Sequence, residues 1–187
     1  GRLSHKKGLD VLVDAFARAA ASHPDARLVL AGPDDEALTP RLRAEAAALG
    51  IADRVTFTGM LDGDAKRAAL AAATVFALPS HTENFGVALV EAMAAGLPAV
   101  ITPQVNIAPA IAAEDAALVR DRDATQFAAA IDALLRDPAR RHTMGERGRE
   151  FARRYDWSDV AHEWAAMYDR VARRPRVTQR KAMRHAA

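Results

Sequence analysis

Apolar positions along the chain follow two rhythms that take turns. Over 8–22, GLDVLVDAFARAAAS, apolar residues recur at three- and four-residue intervals, the spacing of a helix with one buried face. Pro24 follows as a stop. Arg27–Ala31 (RLVLA) is then a short apolar run closed by Gly32-Pro33, which predicts a buried strand. The alternation continues. Residues 37–49 predict a helix with Gly50 as its C-terminal cap, and Arg54–Thr58 (RVTFT) a strand ended by Gly59. Asp62–Ala73 predicts a helix with Asp62 at its N-cap, and Thr74–Leu78 a strand stopped by Pro79. Phe85–Ala95 predicts a helix capped by Gly96, and Leu97–Ile101 a strand. A short helix near Ala108–Ala113, a strand near Ala116–Val119 and helices over 125–136, 139–153 and 157–173 complete the pass.

Strand and helix alternating at this pace predict an α/β fold: a Rossmann-like, doubly wound parallel sheet with helices on both faces, followed by C-terminal helices. Ligands of such sheets bind outside the carboxyl ends of the strands. The loops to inspect are therefore 32–36, 59–64, 79–86 and 102–107, together with the opening residues. The opening GRLSHKKG reads as the loop after a strand that lies upstream, so the sequence is taken as a fragment of a longer protein.

Composition narrows the classes. The chain has 187 residues, half of them hydrophobic, enough for one domain with a substantial core. It has no cysteine, which excludes disulfide frameworks and thiolate metal sites and fits a reducing compartment. No apolar run reaches about 18 residues, so no transmembrane helix is expected. The net charge of +2 hides an asymmetry: 13 of the 26 Lys/Arg but only 6 of the 24 Asp/Glu fall from Arg140 onward, leaving 13 against 18 before it. The basic end, RRPRVTQRKAMRHAA, reads as a solvated, disordered tail over 174–187, or as a patch drawn to an anionic membrane surface. Nucleic acid is not expected as a partner, because no aromatic residues interleave with these charges.

The chemistry concentrates in 80–98, SHTENFGVALVEAMAAGLP, where Glu83 and Glu91 bracket the start of the predicted helix. A helix beginning near Phe85 leaves the N–H groups of Phe85, Gly86, Val87 and Ala88 without internal partners. With the helix dipole they form an anion site, which Gly86 leaves unobstructed. Glu91, in the second turn, leans back toward the same space. A carboxylate only accepts hydrogen bonds, so it suits a diol such as ribose. Glu83 precedes the helix and faces the same cleft. Two acids at a helix start also have a plain reading, since the dipole favours them there without any ligand. Asp62-Gly63-Asp64 superficially forms D-x-D, but it opens a helix, where aspartates act as caps, and no metal site is assigned. The six histidines lack ligand spacing.

Four pieces occur in one order: Gly1-Arg2 through Lys7-Gly8, the RVTFTG strand ending, the PS-x-x-E-x-F-G junction and the EAMAAGLPAVI unit. Together they resemble the C-terminal half of retaining glycosyltransferases of family 4, the group 1 enzymes of GT-B fold, over about residues 1–173. The resemblance implies a nucleotide-sugar-binding domain, with Arg2 and Lys7 holding the donor diphosphate and Glu91 the ribose hydroxyls. Glu83 matches the donor-sugar contact, and the stretch Asn84, Phe85, Gly86, Val87 and Ala88 the diphosphate and sugar contacts. Met60, Leu61 and Lys66 match the region that holds the base. Catalytic help is then assigned to Glu83, Arg2 and Lys7. Arg2 and Lys7 stabilise the departing diphosphate, while Glu83 orients the sugar. The family also implies a UDP- or GDP-sugar donor, metal-independent transfer of a hexosyl group to a glycan or lipid-linked acceptor, and a separate N-terminal domain as partner. A cytoplasmic location follows, at the inner face of the membrane if the basic tail binds there. Where many relatives carry Gly-Gly-x-x-Glu, this chain reads TPQVNIAPAI. Two other readings stand beside this one: half of a sugar-nucleotide epimerase on the same plan, and a non-catalytic nucleotide-sugar-binding module. A dinucleotide oxidoreductase would need G-x-G-x-x-G after its first strand, which the sequence lacks.

Overall fold

The computed structural model describes residues 1–173. The predicted basic tail over 174–187 lies outside the described residues. The chain divides into two compact units, the first Gly1–Arg153 and the second beginning at Arg154.

The first unit alternates as the apolar rhythm requires. After a short turn at His5–Lys7 come α1 (Leu9–Ala20), β1 (Leu28–Ala31), α2 (Thr39–Ala48), β2 (Val55–Gly59), α3 (Gly63–Ala72) and β3 (Phe76–Leu78). Then follow α4 (Val87–Ala94), β4 (Ala99–Ile101), α5 (Ala108–Ala113), β5 (Ala117–Val119), α6 (Ala124–Arg136) and α7 (Pro138–Arg153). All described strand pairs are parallel. They form two pieces rather than one continuous sheet: β1 pairs with β2, and β3, β4 and β5 pair in that order. The opening segment runs from the carboxyl end of β1 to that of β3. The Gly1 amino group donates to the Ala31 carbonyl at 2.7 Å, and His81 N–H donates to the Lys6 carbonyl at 2.8 Å.

The core forms where α1 and α6 pack together against the strands. Phe16, Leu30, Val100, Phe127, Ile131 and Leu134 belong to it. All three residues of β4 are fully buried, as expected of a strand covered on both faces. In β1 the period of two is plain: Leu30 is buried while Val29 is 52% exposed. Arg54 ties the start of β2 to the turn after α1, donating to the carbonyls of Ala26 and Ala20 at 3.0 and 3.1 Å. His23 and Asp132, 2.8 Å apart, link that same turn to α6.

Two helices begin later than their periodicity predicts. The Asp34 carboxylate accepts from the N–H groups of Leu38 and Thr39 at 2.8 Å each, so α2 starts at Thr39 rather than at 37. The Thr39 side chain first, and then these backbone donors, hold the Asp34 carboxyl below its usual pKa. Helix α4 starts at Val87 because Gly86 takes a left-handed conformation, φ 81°, at the N-cap. In the second unit, α8 (Trp157–Ala172) is capped by Asp156, which accepts from Ser158 N–H at 2.8 Å. The rings of Trp164 and Tyr168 sit 5.8 Å apart along it. No described helix is long and apolar enough to cross a membrane.

Candidate functional site

The opening segment builds one wall of a cleft at the carboxyl ends of β1 and β3. Leu3 N–H donates to the Pro33 carbonyl at 2.8 Å, and His5 N–H donates to Glu36 Oε2 at 2.8 Å. Gly8 ends the His5–Lys7 turn in the left-handed region, φ 64°. A Cβ there would lie 2.1 Å from the Pro79 carbonyl oxygen, so only glycine lets this loop lie so close to the end of β3. Lys7 is thereby fixed at the cleft with its side chain 21% exposed.

Packed beside it is the 79–86 loop, interlocked with the loop after β4. The buried Thr102 hydroxyl donates to the Ser80 carbonyl at 2.7 Å. Glu83 N–H donates to the Gln104 carbonyl at 3.1 Å, and Glu83 accepts on its own carbonyl from Asn106 N–H at 3.0 Å. Glu83 is thus held on both sides, a small parallel bridge in the middle of a loop. Its carboxylate accepts from Lys7 Nζ. A Cβ at Gly86 would approach Glu83 Cγ to 3.3 Å.

Helix α4 points its N-terminus at this space. With α4 starting at Val87, the open first-turn donors are the N–H groups of Gly86, Val87 and Ala88, so the predicted set loses Phe85. Asn84 is exposed and Phe85 half-buried; Val87 is 62% exposed and Ala88 half-buried. Glu91, one turn on, accepts from Lys66 Nζ of α3 at 2.6 Å, with both side chains near two-fifths exposed. Asp62 occupies the N-cap position of α3, although its side chain caps no N–H. The carboxylate of Asp64 pairs with Arg67 at the surface.

The structure therefore forms two ion pairs near this helix end, Lys7 with Glu83 and Lys66 with Glu91. A Cβ at Gly1 would lie 3.8 Å from the Ala88 Cβ. The Gly1 amino group is held below its ordinary pKa first by burial and then by the charge of Lys7, with Glu91, Lys66 and Glu83 also acting on it. Arg2 does not join this group: its exposed guanidinium lies 3.9 Å from Asp35. Met60 is 71% exposed and Leu61 half-buried, beside the entry to α3. Sequence reasoning missed that each glutamate already holds a lysine. The partners are 76 and 25 positions apart, so no local spacing signals them. No cluster of three metal-ligating side chains occurs among the described residues. A hollow of about 230 Å³ lies elsewhere, between α7 and the amino end of β5, lined by Asp115, Arg140, Thr143 and Arg147 among others. It is a surface dent whose Arg147 is already paired with Asp115 at 3.2 Å, and the strand ends opposite hold the charged cluster.

The sequence and the fold both have counterparts among known proteins. A sequence model described as "Glycosyl transferases group 1" matches residues 1–151, most of the chain. The chain belongs to the group 1 glycosyl transferases. Its α/β architecture is that of the GT-B glycosyltransferases. The phosphatidyl-myo-inositol mannosyltransferase of Mycobacterium leprae is 36% identical over 169 residues, which cover 89% of this chain and 44% of that protein. The sucrose-phosphate synthase of Thermosynechococcus elongatus superposes with a TM-score of 0.82 at 31% identity, over 92% of this chain and 44% of that one. An Anabaena protein, HepE, solved in complex with UDP-glucose, superposes with a TM-score of 0.81 at 24% identity, over 90% of this chain and 47% of that one. The chain spans less than half the length of these relatives.

Proposed function

We propose that this chain is the donor-binding half of a retaining glycosyltransferase. The whole protein transfers a hexosyl group from a nucleoside diphosphate sugar to a glycan or lipid-linked acceptor. The observation that carries this reading is the α4 N-terminus, open at Gly86–Ala88 and flanked by Glu83 and Glu91 with their lysines. The diphosphate lies on these N–H groups and on Lys7, with Arg2 swinging in from its exposed position. Glu91 accepts the ribose hydroxyls, and Glu83 accepts hydroxyls of the sugar. Met60, Leu61 and Lys66 border the base. A UDP-sugar donor accords with the ligand of HepE, and a GDP-sugar fits the same cradle.

Catalysis on this reading is electrostatic. As the glycosidic bond breaks, negative charge grows on the leaving diphosphate, where fixed N–H dipoles and cations are already aimed. Each such charged contact is worth roughly 1.5–3 kcal/mol. Because protein groups meet that charge, a divalent cation is not required. The acceptor and the groups that orient it belong to the partner half. The test is a titration of uridine and guanosine diphosphate hexoses, the bare diphosphates and the nucleosides into the full-length protein. One base series is expected to bind, with the nucleoside weakest. Equal binding of nucleoside and nucleoside diphosphate would remove the diphosphate cradle from the account.

A further inference from the structure

The charged group at the cleft is self-neutralised. Lys7, which the proposed function gives to the diphosphate, already holds Glu83, which it gives to the sugar. The two side chains are only 21% and 18% exposed, so water replaces neither partner fully if the pair opens. A ligand that takes one of them must supply a substitute for the other.

We propose that the donor's diphosphate takes Lys7 from Glu83, and that this handover is what frees Glu83 to receive the sugar. The inference rests on the function proposed above and adds an order to it.

Two observations and the chemistry of the ligand decide which partner moves. Glu83 is anchored through its own N–H and carbonyl to Gln104 and Asn106. The Lys7 backbone is also fixed, its N–H donating to the Ser4 carbonyl at 3.0 Å, but its four-carbon stem and rotating ammonium are free to pivot. A diphosphate on the Gly86–Ala88 donors offers more charge and more acceptor oxygens than one carboxylate, so the ammonium moves to it. Glu83, stripped of its lysine, then has lone pairs open to hydroxyl donors. Without the sugar it is left as a half-buried carboxylate lacking its cation. Glu91 differs. Its pair with Lys66 is near two-fifths exposed, so water can stand in for either partner, and no handover is needed there.

Glu83 therefore acts with opposite signs on two ligands. It competes with a bare nucleoside diphosphate for Lys7, and it rewards one that carries a sugar. After transfer the sugar is gone, and Glu83 reclaims Lys7 and loosens the product.

Calorimetric titration of the full-length protein tests this with UDP and UDP-glucose, or with GDP and GDP-mannose if the guanine series is the one bound. Glu83→Gln keeps the side-chain shape and removes the charge. It is expected to bind the bare diphosphate about threefold or more tighter than wild type, and to lose most of the added affinity conferred by the sugar. In a Lys7→Gln background, Glu83→Gln is expected to leave diphosphate affinity unchanged. A Glu83→Gln protein that binds the diphosphate equally or more weakly overturns the handover, as does an undiminished sugar increment. The underlying reading fails separately: Lys7→Gln that leaves diphosphate affinity at the wild-type value removes Lys7 from the phosphate site. Misfolding lowers affinity for both ligands together, so it does not imitate the opposed changes.

Discussion

Gly86 carries more of the site than its lack of a side chain suggests. It caps α4 at φ 81°, offers its N–H to the cradle and stands beside Glu83. Gly86→Ala is expected to destabilise the domain by about 1–2 kcal/mol, the cost of a left-handed alanine. It should also weaken nucleotide binding, because the added methyl pushes on Glu83. A melting curve and a titration of the same variant check both effects. Glu91→Ala is expected to weaken nucleotide binding by about 1–3 kcal/mol, the range for hydrogen bonds to a charged group. Its melting temperature should change little, because the Lys66 pair is exposed enough for water to replace it. An unchanged dissociation constant would return Glu91 to an ordinary helix acid. At this scale the nearness of the two acids was legible. Glu83 and Glu91 stand in one short stretch, one in the loop before α4 and one in its second turn. The pairing of each acid with a lysine and the exposed position of Arg2 were not legible, because they depend on where distant loops meet.

Between elements, the turn after α1 is joined to α6 by His23 and Asp132. The His23 hydrogen bond holds the Asp132 carboxyl below its usual pKa, and Arg136 adds to the effect. A carboxyl depressed in the folded state stabilises the fold above its unfolded pKa of about 3.9. That contribution fades as pH falls through the lower folded value. Asp132→Asn is therefore expected to be less stable than wild type at neutral pH and to converge on it as pH falls through the folded value. Urea midpoints across pH 2–7 check this (a constant difference would show that the loss is one of packing). The order of elements was legible because burial forces the helix and strand periods on the sequence. Their starts were less so. Phe85 and Gly86 continue the helical pattern of apolar and small residues, and only the backbone turn at Gly86 reveals that α4 begins two positions on. Likewise the division of the strands into a pair and a triple depends on partners distant in sequence, as with Leu28 and Val55.

For the molecule as a whole, the opening segment spans the ends of β1 and β3, which belong to separate pieces of sheet. On the proposed reading, a strand leading into Gly1 lies between these pieces. Adding one strand's length of the native upstream sequence, roughly 5–8 residues, is expected to raise the melting temperature without producing turnover. Turnover should need the partner half as well, because a bound donor otherwise meets no oriented acceptor. Transfer by the 187-residue chain alone, above a Glu83→Ala control, would contradict this. The central claim, that a nucleoside diphosphate lies on the N-terminus of α4, is tested most directly by amide chemical shifts. The full-length protein, isotopically labelled, is titrated with UDP and GDP while the backbone resonances are followed. The account predicts saturable shifts, largest at Gly86, Val87 and Ala88 and accompanied by Lys7 and Glu91. Shifts centred instead on Arg140, Thr143 and Arg147 of α7, or none with either nucleotide, would contradict it.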